Sequence, residues 1–68
     1  MRTRLKLLRV GRNQNQEEAA KSVGVSRSYY GLIESGRNNG SHKFWNSVQR
    51  VYNIPDSEMW EVTKNDED

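Results

Sequence analysis

A chain of 68 residues with no cysteine and one histidine makes a single small domain that neither disulfides nor a four-ligand zinc site can staple, so packing alone must hold it. No apolar run exceeds two or three residues, which excludes a membrane span and the apolar core of a signal peptide; a cytoplasmic protein is expected. The net charge of +2 hides an asymmetry: residues 1–50 carry ten Lys and Arg against three acids, a net of +7, whereas residues 51–68 carry Lys64 against six acids, a net of −5. A basic body with an acidic end suits a polyanionic partner, although ordinary solubilising charge gives the same numbers.

Five segments of helical length lie between clusters of turn residues. The first, about residues 2–10, places Leu5 and Leu8 three apart, with Leu7 and Val10 beside them. Arg2, Arg4 and, past the turn, Arg12 read as a solvated face. The second opens on Asn15-Gln16-Glu17-Glu18, where Asn15 can cap and Glu18 can reach back to complete a capping box. Ala19, Ala20 and Val23 form its inward stripe, and Gly24 stops it in a left-handed turn. Ser26 caps the third segment, 27–35. At about 100° per residue, Tyr29, Tyr30 and Ile33 share one side of it, while Arg27, Ser28, Gly31, Leu32 and Ser35 share the other. Ser41 caps the fourth, which runs to about Tyr52 with Phe44, Trp45, Val48, Val51 and Tyr52 as its stripe. The fifth, about 56–63, follows Pro55 and contributes Met59 and Trp60. Residues 1–63 thus form the domain, and residues 64–68 are expected to fray as an acidic tail. No segment alternates with period two, so the predicted class is all-α.

Segments two and three are joined by Val23-Gly24-Val25-Ser26, a connection too short for antiparallel helices. It turns them sharply, as in a helix-turn-helix unit, although a plain helical corner shares the pattern. The outer flank of segment three is one arginine, one leucine and three small residues. Gly31 costs about 1 kcal/mol relative to alanine in a helix interior. An ordinary exposed helix gains nothing from that, whereas a helix pressed into a groove gains close backbone approach.

From about residue 4 to residue 62 the sequence resembles the Xre or Cro/repressor family of helix-turn-helix DNA-binding domains. Leu5, Leu8 and Arg9 carry the likeness, with Gln16, Glu18 and Ala20; Gly24, Val25 and Ser26; Ile33, Glu34 and Gly36; Ser41; and Ile54. The resemblance implies a compact five-helix, lambda repressor-like bundle whose third helix lies in the major groove. It places Arg27 and Ser28 at base-reading positions, Gln16 on a phosphate while bracing the third helix, and Arg37, Asn38 and Asn39 in a loop that follows the DNA backbone. It also implies a salt bridge between Arg9 and Glu34. Gly31 and Leu32 join the base-contacting set from their place on the flank, and Tyr29, at its border, can direct its hydroxyl to a phosphate. Arg27 can donate two hydrogen bonds to a guanine edge, and Leu32 can pack on a thymine methyl. The chain departs from the family at Gln14, where an apolar residue is usual and a polar one is expected to weaken the packing, and at Ala19, where Leu is usual and Tyr30 is expected to fill the space. Tyr30 itself replaces a small aliphatic, and Leu32 a polar or basic residue, so a family base preference does not carry over.

No catalytic residue, metal site, cofactor or small-molecule ligand is expected. Glu17 and Glu18 begin a helix, and no glycine-rich phosphate loop follows a strand. Two functions are open to such a chain. One is a sequence-specific double-stranded DNA-binding transcriptional regulator, a repressor, acting as a homodimer on a two-fold operator at the nucleoid of a bacterium or its phage. The other is a repressor-like protein-interaction module, antitoxin-like, with weak base reading or none.

Overall fold

The computed structural model describes residues 1–66; the last two residues of the expected acidic tail, 67 and 68, lie outside it. Five helices follow one another: α1 (Thr3–Val10), α2 (Gln16–Ser22), α3 (Arg27–Ser35), α4 (His42–Tyr52) and α5 (Met59–Thr63), the last entered through a 3-10 turn over Asp56–Glu58. Among the described residues there is no strand, and no helix is long and apolar enough to cross a membrane.

The helix starts follow local chemistry. Asn15 Oδ1 accepts from the Glu18 amide at 2.8 Å while Glu18 Oε1 accepts from the Asn15 amide at 2.8 Å, the reciprocal box expected of that tetrapeptide. Ser26 and Ser41 accept from the amides of Tyr29 and Phe44, each at 3.1 Å. Substituting Asn15 by alanine removes the acceptor and is expected to cost about 1 kcal/mol, read as a melting shift of roughly 4–8 °C in a domain of this size.

The helix ends are equally local. Gly24 takes φ 80°, and the Val25 amide closes back on the Ala20 carbonyl at 3.0 Å, which satisfies a carbonyl that the helix leaves open. After α4 the same role falls to Asn53, at φ 56°. After α1 the chain turns from Gly11 onward. That glycine stays right-handed at φ −62°, and the chain reverses two residues later at Asn13, φ 57°, a residue type that tolerates the left-handed region.

All five helices contribute to one core: Leu5 from α1, Ala19 and Ala20 from α2, Tyr30 and Ile33 from α3, Phe44, Val48 and Tyr52 from α4, and Val62 from α5. Ala19 and Tyr30 are both fully buried in it. Phe44 sits at its centre, edge-on to Tyr29 (5.9 Å, 86°) and to Trp45 (4.9 Å, 81°). Leu7, Val10 and Trp60 instead point outward.

Three local expectations change in three dimensions. Arg2 is no solvated arginine: it is buried, its Nε donates to the Thr63 carbonyl (2.8 Å) and its Nη1 to those of Ile33 (2.7 Å) and Asn38 (2.9 Å). It thus serves carbonyls near the C-terminal ends of α3 and α5, where the helix dipoles favour a cation, and one in the loop after α3. Gln14, polar where an apolar residue is usual, is satisfied instead of weakening the site: its Oε1 accepts from the Tyr52 hydroxyl at 2.6 Å, and Arg12 covers the Tyr52 ring at 4.6 Å. Finally, Asn65 and Asp66, within the segment expected to fray, bond to the start of the chain. Asp66 accepts from the Thr3 amide (3.0 Å) and hydroxyl (2.6 Å), so it caps α1 from 63 residues away, and these bonds hold its carboxyl down at about 2.

Candidate nucleic-acid interface

α3 is the displayed helix. Ser26 starts it, and Gly36, left-handed at φ 89°, ends it, so its length and its exit path are set locally. Tyr30 and Ile33 anchor its inner side in the core, Tyr29 is half-buried beside them, and the opposite side is open. Arg27, Ser28, Leu32 and Ser35 are exposed, with 43% of Leu32 accessible, and Gly31 lies between them, partly covered. The two sides are those that the helical period separates in the sequence.

What covers Gly31 is Gln16. A Cβ built on Gly31 would meet Gln16 Oε1 at 3.5 Å, ordinary van der Waals contact. The other end of that amide, Nε2, donates to Glu34 Oε1 at 3.2 Å. Gln16, the first residue of α2, therefore lies across α3 and reaches its ion pair. There Arg9 grips Glu34 with two parallel bonds, Nε to Oε2 at 2.9 Å and Nη2 to Oε1 at 3.0 Å, and a third bond runs from Nη1 to the Gln14 carbonyl at 3.1 Å. Glu34 is only 2% exposed. Burial opposes its ionisation, but the hydrogen bonds from Arg9 and Gln16 and the nearby Tyr30 hydroxyl outweigh that and hold its carboxyl below the usual range. Tyr30 Oη, though close, makes no hydrogen bond, and burial together with the charge of Glu34 pushes its own ionisation far up. One network thus fixes α1, α2 and α3 relative to one another and leaves the Arg27–Leu32 flank of α3 open.

The loop after α3 sits beside this flank. Arg37 and Asn39 are exposed, and neither the Arg27 nor the Arg37 guanidinium donates a hydrogen bond among the described residues. Asn38 is partly buried: its carbonyl serves Arg2, and its Oδ1 accepts from the Gly40 amide at 2.8 Å, while its Nδ2 makes no hydrogen bond among the described residues. The Tyr29 hydroxyl accepts from the Ser41 amide at 3.2 Å and keeps its own proton to donate. The structure thus brings Arg27, Ser28, Gly31 and Leu32 together on one flank. Two residues outside the expected set shape the loop, Arg2 and Trp45, whose Nε1 donates to the Asn39 carbonyl at 2.9 Å. Trp45 falls at the edge of the α4 stripe, a border position that hints at a partly exposed ring; nothing local marks Arg2.

Two short helices meeting across Val23–Ser26, the second fixed by buried contacts and bare on its outer side, define a helix-turn-helix unit. The chain belongs to the helix-turn-helix domain family, whose model matches residues 1–61. It is similar to two proteins of Archaeoglobus fulgidus, each bearing the name HTH-type transcriptional regulator. One is 39% identical, with 90% of this chain and 97% of the relative covered; the other is 35% identical, with 88% and 97% covered. No solved structure matches the chain significantly.

Proposed function

We propose that the protein is a DNA-binding transcriptional regulator of the Xre or Cro/repressor type, a repressor that reads the major groove with α3. The observation that carries this reading is the flank itself: one arginine, one leucine and three small residues on the open side of a helix whose other side a buried ion-pair network fixes to the bundle. Most solvated helices bear several charges; this one is slim and almost uncharged, which suits close approach to base edges. Arg27 takes the guanine contact, Ser28 and the Gly31 backbone approach neighbouring bases, and Leu32 meets a thymine methyl. Gln16, Tyr29, Arg37, Asn38 and Asn39 contact phosphates and set register without reading sequence. Such a module covers little duplex, so two copies act on a two-fold operator with their recognition helices roughly 34 Å apart, one helical turn. The relatives' names support transcriptional regulation, and a cytoplasmic protein working at the nucleoid follows from that role.

One observation favours a second reading. Leu32 is a large apolar side chain, 43% exposed at the middle of the flank, which a protein partner would also bury. Titrating random and selected duplexes at several salt concentrations separates the two. DNA binding requires log K to fall linearly with log salt, and absence of binding to any duplex at about 50 mM salt would favour the protein partner.

Gly31→Ala adds a sharper test. The new Cβ has room beside Gln16, so the domain is expected to gain roughly 1 kcal/mol of stability from helix propensity. Duplex affinity is expected to fall, because the methyl group stands where a base edge approaches. Melting curves and binding isotherms that rose together would remove Gly31 from the interface.

A further inference from the structure

The Arg37–Gly40 loop has no regular structure, yet it is gripped from the bundle side. Trp45, one turn into α4, donates its indole N–H to the Asn39 carbonyl at 2.9 Å. The indole also fills the space beside Gly40, where a Cβ would come within 2.8 Å of Nε1; that residue's φ of 75° already asks for glycine. The Arg2 guanidinium holds the preceding carbonyl, that of Asn38, and lies 5.5 Å from the Trp45 ring centroid. Trp45 thus has its polar atom turned into the loop and its ring packed on Phe44 at 4.9 Å. The side chains it leaves facing outward are those of Arg37 and Asn39.

We propose that Trp45 is a positioning residue for duplex binding: through the Asn39 carbonyl it orders the Arg37–Gly40 loop in advance, so that Arg37 and Asn39 meet the DNA backbone without further loss of freedom. The inference rests on the assignment of those two residues to phosphates. Its physical basis is pre-organisation, because backbone that is free before binding must be ordered during it, and affinity falls by that cost. The indole touches no base, so it governs affinity and leaves base preference alone.

Trp45→Phe keeps a ring against Phe44 and removes the donor. Affinity for random and selected duplexes is expected to fall alike, by about five- to tenfold, the weight of one hydrogen bond. Because Trp45 acts through the loop, Arg37→Ala is expected to cost less in the Trp45→Phe background than in the parent. The Gly40 amide should also exchange with solvent faster while the amides of α2 do not. Unchanged affinity, or full additivity with Arg37→Ala, overturns the inference and leaves the phosphate assignment standing. An Arg37→Ala protein that binds as well as the parent overturns both. If Trp45→Phe is unfolded at the assay temperature, Gly40→Ala displaces the same contact from the loop side and must give the same uniform loss and the same non-additivity.

Discussion

Arg9→Met is expected to destabilise the domain by about 3–5 kcal/mol, because it leaves a buried carboxylate without its counter-ion. Glu34 is 2% exposed and takes both parallel bonds of the guanidinium, so neither water nor another cation can replace Arg9 without opening the bundle. At roughly 4–8 °C per kcal/mol for a domain of this size, the melting temperature is expected to fall by some tens of degrees. Thermal and urea melts measure the effect. A loss of under about 1 kcal/mol would show that Glu34 is not held by this pair. The double variant Arg9→Met with Glu34→Leu is expected to recover most of the loss, since an apolar pair of similar volume carries no desolvation penalty. Acid titration reads the same network. The folded-state pKa of Glu34 is lowered, so its contribution is fully present above the unfolded value near 4.3 and is lost as pH falls through the lower, folded one. Glu34→Gln is expected to be less stable at neutral pH but to show a flatter loss below about pH 4.

Arg27→Ala carries the largest expected effect on binding. Discrimination at one guanine position is expected to drop by about 1–3 kcal/mol, as base-substitution series on a selected duplex would measure. Stability should move by less than about 0.5 kcal/mol, since the side chain is exposed and donates no hydrogen bond among the described residues. Arg37→Ala provides the contrast: weaker binding to all duplexes and a salt slope smaller by about one. If the two variants behaved alike, both arginines would be phosphate contacts, and specificity would have to come from Ser28 and Leu32.

The helix-turn-helix unit owes its legibility to short-range rules. The Asn15–Glu18 box, the Ser26 cap and the Gly24 stop are each decided within a few residues, so α2, the turn and α3 are readable from sequence alone. Arg2 was not. Its three carbonyl partners lie 31, 36 and 61 residues further along the chain, and no local pattern distinguishes it from the surface arginines that follow. The tail is a similar case. Asp66 reads as one more acid in a polar run, and only the return of Asn65 and Asp66 to the start of the chain shows that it caps a helix.

Periodicity by itself decided which side of α3 faces in, because helix geometry converts spacing into direction without reference to anything distant. It did not decide what stands behind that helix. Gln16 bridging Gly31 and Glu34 and Arg2 closing two helix ends join groups remote in sequence. Such pairings depend on how the helices pack, and packing is a property of the whole chain.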